Sequence, residues 1–93
     1  MAEPKFRSSW AYPWALLQRD GEIRFGCILE AVVGELPDVG DRKITGFMAI
    51  TQDPATGEWS KEPSFFPDDS VVAEWRARPS PTAITKAKKE LAQ

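Results

Sequence analysis

The sequence predicts an α+β fold: an antiparallel sheet of about four strands, arranged as two β-hairpins and closed by one or two C-terminal helices. Three observations point to it. Asp20-Gly21 stands between two stretches of alternating apolar residues, a strong short-range hairpin signal. "DPATG", residues 53–57, separates a second pair of strand-like stretches. After Pro67, capping residues and helical spacing replace alternation.

The first strand falls in "SSWAYPWALL", residues 8–17, where Trp10, Tyr12 and Trp14 recur at every second position. Beyond the turn, Ile23, Phe25, Cys27, Leu29, Ala31 and Val33 are apolar at the same period. Pairing across Asp20-Gly21 sets Gln18 opposite Ile23, Leu16 opposite Phe25, Trp14 opposite Cys27, Tyr12 opposite Leu29 and Trp10 opposite Ala31. The aromatic stripe and the apolar stripe then share one face, which makes the stripe core rather than an exposed platform. The opposite face, with Arg19–Glu22, Leu17–Arg24 and Ala11–Glu30 pairs, reads as solvent-facing. Pro13 lacks a ladder donor, so either this strand is an edge or its pairing stops near Pro13.

Residues 34–43, "GELPDVGDRK", read as a loop. "KITGFMAITQ" follows as a third strand, and "EWSKEPSFF" returns from the second turn as a fourth. Trp59 lies just past that turn, where a hairpin tip is usually solvated, and is the best candidate for an exposed aromatic. Asp68, Asp69 and Ser70 would cap a short helix over "SVVAEWRA", with Val71, Val72 and Trp75 on one side, stopped by Pro79. Ser80 and Pro81 suit the N-cap and first turn of a basic helix over residues 80–93, whose thin stripe of Ile84, Ala87 and Leu91 promises only weak docking.

At 93 residues, with 42% hydrophobic and 28% charged, the chain suits a single small domain with a flexible N-terminal tail over residues 1–8. The longest apolar run, "AYPWALL", is far below the roughly 20 residues of a membrane span, and no signal-peptide pattern opens the chain. One cysteine allows no internal disulfide, so a reducing, cytoplasmic setting is expected. Charge is uneven under a net −2: residues 20–74 hold twelve acidic against four basic side chains, whereas residues 75–93 hold five basic against one acidic. Such asymmetry steers partners of opposite sign.

The chain has no histidine, which removes the commonest general base and metal ligand. Without an imidazole, nucleophilic catalysis by serine or cysteine lacks its usual activator. Cys27 lies on the apolar stripe and reads as an inert buried thiol. Glu35, Asp38 and Asp41 lack the spacing of a calcium loop and read as solvated charge. No glycine-rich phosphate loop is present. No catalytic residue, metal site or cofactor is therefore expected.

What remains is binding. The expected function is that of a small non-enzymatic intracellular protein acting on a protein partner as regulator or inhibitor. Glu35, Asp38 and Asp41 would steer the partner, with Trp59, Arg76 and Arg78 supplying contact energy. The rival is a single-stranded nucleic-acid binder that uses Trp10, Tyr12 and Trp14 with Lys86, Lys88 and Lys89. The acidic pI near 5.1 disfavours it. The size also suits an accessory protein of a phage or plasmid, which no residue supports.

Overall fold

The structure, a computed structural model, describes residues 10–35 and 42–92. Five antiparallel strands form one sheet: β1 (Trp14–Arg19), β2 (Glu22–Glu35), β3 (Arg42–Thr51), β4 (Ser64–Pro67) and β5 (Val71–Trp75). A single 3-10 turn, Asp68–Ser70, joins β4 to β5, and one helix, α1 (Pro81–Leu91), follows. The strand order is β4-β3-β2-β1-β5.

The first hairpin has the predicted register: Trp14 faces Cys27, Leu16 faces Phe25 and Gln18 faces Ile23. Its two-residue loop takes positive φ at Asp20 (53°) and Gly21 (79°), the conformation that a tight hairpin with right-handed twist demands. Strand pairing stops at Trp14 rather than running back to Ser8. Pro13 still accepts from the Ile28 N–H at 2.7 Å, so the ladder ends where the missing donor would be needed. β1 is not an edge, because β5 pairs with its other side, Trp75 opposite Trp14.

That second pairing corrects the helix expected over "SVVAEWRA". Val71 and Val72 are β-branched and suit a strand, and β1 offered a free hydrogen-bonding edge that no local window reveals. The sheet has five strands and there is one C-terminal helix. Of the loop expected over 34–43, Gly34 and Glu35 instead end β2 and Arg42 and Lys43 begin β3, and residues 36–41 lie outside the described residues. The expected tail over 1–8 lies outside the described residues.

β4 and β5 are consecutive in the chain yet sit at opposite edges of the sheet. Four strand spacings of a flat sheet would separate them by about 19 Å. The three-residue turn between them advances only about 2 Å per residue. The sheet must therefore curl until its edges approach each other, as in a partly closed barrel. Arg19, at the end of β1, spans the seam. It donates to the Phe65 carbonyl on β4 and its guanidinium lies 3.8 Å from the Phe66 ring centroid. A charged side chain thus covers backbone that an open edge would expose.

Curling gives the sheet an inside and an outside. The inside is the hydrophobic core of Ala15, Leu17, Ile28, Phe47, Ala49 and Phe66, with Trp10, Ala31, Ile44 and Val71 packed against it. The face expected to meet solvent, with Leu17 on it, is therefore the core: Leu17 is 1% exposed. Its charged members, Arg19, Glu22 and Arg24, line the rim of a cavity at one end of the barrel. Gly46 has no side chain because the Phe65 ring lies over it, 2.5 Å from where a Cβ would stand.

Candidate binding face

The outside of the curled sheet is also apolar. Trp14, Leu16, Phe25, Cys27 and Ile50 alternate with the core residues along β1, β2 and β3, and all but the half-buried Trp14 are buried. Trp14 and Phe25 stack with ring centroids 5.6 Å apart and planes 7° from parallel. Trp59 joins them edge-on, 6.4 Å from Trp14 and 5.8 Å from Phe25.

The position of Trp59 follows from the turn before it. Gly57 N–H donates to the Asp53 carbonyl, the Asp53 carboxylate accepts from Ala55 N–H, and Gly57 takes a φ of 76°. Asp53 N–H donates to the Glu58 carbonyl, and Gln52 and Trp59 form an isolated β-bridge that returns the indole to the sheet. Trp59 is consequently half-buried in an aromatic cluster and not a free hairpin tip, as the sequence had suggested.

The segment after β5 crosses this face. Because Trp75 pairs with Trp14, the residues that follow run beside Pro13 and Tyr12. Arg76 donates to the Tyr12 hydroxyl at 3.3 Å and its guanidinium carbon lies 5.1 Å from that ring centroid. The Arg78 guanidinium carbon lies 5.4 Å from the Trp14 ring. Pro79 is buried. Ser80 then caps α1, its hydroxyl accepting from Ala83 N–H at 3.2 Å, with Pro81 in the first turn. α1 itself contains no buried residue, and Leu91 is 39% exposed. A cavity of about 280 Å³ remains, bounded by Phe25 and Gln52 on the sheet and by Arg78, Pro79, Pro81 and Ile84 opposite.

The residues proposed for rival functions are thus each other's partners. Arg76 and Arg78 sit on Tyr12 and Trp14, and Trp59 packs edge-on against Trp14. Trp10 is split from the stripe and packs inside against Phe47, with centroids 5.2 Å apart. Lys86 and Lys89 are exposed on α1, beside Pro81, Thr82 and Thr85, with Lys88 half-buried. The Glu35 side chain, Asp38 and Asp41 lie outside the described residues. Sequence reasoning passed over Phe25, Pro79 and Ile84 as parts of a site. The signal available was the run Arg76-Ala77-Arg78-Pro79-Ser80-Pro81, cationic and rich in proline, in which the sequence reading takes Arg76 and Arg78 as contact residues but the prolines only as helix punctuation.

The Cys27 thiol beneath the face is fully buried, and burial pushes its pKa up to about 12, so the nucleophilic thiolate is suppressed. Among the described residues no group of three acidic or cysteine side chains is placed to hold a metal ion, and no helix is long and apolar enough to cross a membrane. A second recess, about 220 Å³ at the barrel end, is ringed by Arg19, Asp20, Glu22 and Arg24. There Glu22 already accepts from Arg24 at 2.7 Å, and the opposed charges leave no net sign to draw a ligand. Comparison of the chain with protein-family models, with curated proteins and with solved structures finds no match in any of the three.

Proposed function

We propose that this chain is a small non-enzymatic protein-binding module that engages a protein partner through the aromatic face between Trp59 and α1, and so regulates or inhibits that partner. The observation that carries this reading is the contiguous cluster of Trp14, Phe25 and Trp59, flanked by Arg76 and Arg78, beside an unfilled cavity. Tryptophan, tyrosine and arginine dominate interface energetics, and a concave apolar floor with polar groups at its rim is the usual form of a binding site. A reducing, cytoplasmic setting suits a chain whose one thiol is buried and unpaired in a disulfide.

The nucleic-acid alternative needs free aromatic faces beside positive charge. Guanidinium groups already lie over Tyr12 and Trp14, and acidic Asp53 and Glu58 border Trp59. Two measurements on the full chain test the choice. Immobilised protein should retain proteins from a native-host lysate after nuclease treatment, and Trp59→Ala should abolish that retention. Titration with a mixed-sequence single-stranded oligonucleotide at physiological salt should leave tryptophan fluorescence unchanged. Saturable quenching by the oligonucleotide, or retention indifferent to Trp59→Ala, would overturn the proposal.

A further inference from the structure

We infer that Arg76–Pro81 is an internal ligand of the aromatic face, and that an extended segment of the partner protein containing arginine and proline takes its place. This rests on the protein-binding reading and specifies its partner chemistry.

The internal occupant displays what the face accepts. Two arginines are laid on two rings, and between them and the helix a proline is buried. Ser80 has φ −69° and ψ 158°, close to polyproline II geometry. Arg78 and Ser80 each precede a proline, which biases both toward extended conformations. A segment already extended loses little entropy on docking, which is why aromatic grooves take such peptides.

The occupant is also detachable. The inner cluster draws nothing from residues 76–92, and β5 completes its pairing with β1 by Trp75, so the strap meets the sheet on the outer face alone, at buried Phe25. The strap is lightly seated: an open recess of about 280 Å³ lies between it and Phe25, and no residue of α1 is fully buried. An eleven-residue helix is marginal without tertiary support, so α1 adds little to hold the strap down.

Charge favours a cationic replacement. Residues 20–74 hold twelve acidic side chains against four basic ones, and beside Trp59 the carboxylates of Asp53 and Glu58 outnumber the one guanidinium of Arg24. An incoming arginine is drawn to this rim and then exchanges one cation–π contact for another. While the strap is closed, apparent affinity is reduced by the fraction of molecules that are open. Loosening the strap should therefore tighten binding from outside.

The probe is the octapeptide Arg-Ala-Arg-Pro-Ser-Pro-Thr-Ala, the sequence of residues 76–83, titrated into the full chain while the indole N–H signals of Trp14 and Trp59 are followed by NMR. Arg78→Ala removes a contact from the strap and leaves the receiving rings intact, so it should bind the peptide about two- to fivefold tighter than the native chain. Ile84→Phe should fill the cavity, fasten the strap and weaken binding. A peptide with both arginines replaced by alanine should not bind. Absence of saturable shifts in Arg78→Ala, or equal affinities for native chain and Arg78→Ala, would overturn the inference. So would dimerisation of Arg78→Ala on dilution-sensitive gel filtration, because the occupant would then be a second copy's strap. Trp59-dependent retention of lysate proteins without peptide binding would sink the strap alone. Peptide binding as expected, with retention indifferent to Trp59→Ala, would sink the function reading instead.

Discussion

The two faces of one curled sheet are closed in different ways. On the inside, Ala15, Leu17, Ile28, Phe47, Ala49 and Phe66 seal one another because β4 and β5, joined by a three-residue turn, draw the edges together. On the outside, Trp14, Phe25 and Trp59 pack on one another, and the chain that follows the last strand lies over Trp14 and Phe25 with an open recess beside it. Adjacent residues of the same strands, Leu16 and Leu17, serve the two faces. The inner face belongs to the fold, and breaking it breaks the sheet. The outer face packs against the segment that follows the last strand, and whether that segment opens independently of the fold is what the following variants measure.

The largest expected effect tests this contrast directly. Phe47 is 5% exposed within the inner cluster, and truncating such a side chain costs about 3–5 kcal/mol. Phe47→Ala should therefore lower the urea midpoint severely or leave the chain unfolded. Ile84 is only half-buried where α1 meets the sheet, and Ile84→Ala should cost about 1 kcal/mol or less. Comparable midpoint losses for the two variants would show that strap and core form one unit.

This division was only partly legible in the sequence. The β1–β2 register followed from Asp20-Gly21 and period-two alternation, both local signals, and the structure repeats it pair for pair from Trp14 to Gln18. Pro13 announced a break in the ladder, but not that Trp10 would turn to the core while Trp14 stayed outside. Leu17 was read as solvent-facing because Arg24 lies opposite it, and only closure of the sheet places Leu17 inside and Arg24 at the rim. "SVVAEWRA" has a helical face, yet a free strand edge more than fifty residues earlier outweighed it. The candidate site was the least legible part. Tyr12 and Arg76, separated by 64 positions, meet through the β1–β5 pairing that the helical reading hid.

A second, smaller effect sharpens the contrast from the outer side. Cys27 lies beneath the aromatic cluster, and burial raises its pKa from 9.0 to about 12. The folded chain therefore holds a proton that the unfolded chain releases above pH 9. The resulting stability is complete below pH 9 and is lost as pH rises toward 12, at about 1.4 kcal/mol per pH unit. Native protein should show this steepening in urea midpoints between pH 9 and 11, and Cys27→Ala should lack it. If the outer cover is separable, the thiol should react with an aromatic disulfide reagent at pH 8 far more often than the sheet unfolds. Labelling of native protein only at the rate of global unfolding would mean that cover and fold open together.

The smallest expected change in global stability is the most discriminating. The Ser80 hydroxyl caps α1 by accepting from Ala83 N–H, and Ser80→Ala should cost the helix about 0.5–2 kcal/mol. If α1 were part of the cooperative unit, that cost would appear in the urea midpoint of the whole chain. If the outer cover is separable, the midpoint should stay nearly fixed and the loss should fall on α1 alone. Native-state hydrogen exchange distinguishes these outcomes residue by residue. Protection of amides from Thr85 to Lys89 should drop about fivefold for each 1 kcal/mol lost, while Ile28, Phe47 and Ala49 keep theirs. The same variant opens the strap without altering a ring, so it should also bind the Arg-Ala-Arg-Pro-Ser-Pro-Thr-Ala peptide more tightly than the native chain. A uniform fall in protection across α1 and β1–β3 would join the two faces into one cooperative structure, and the outer aromatic cluster would then be core like the inner one.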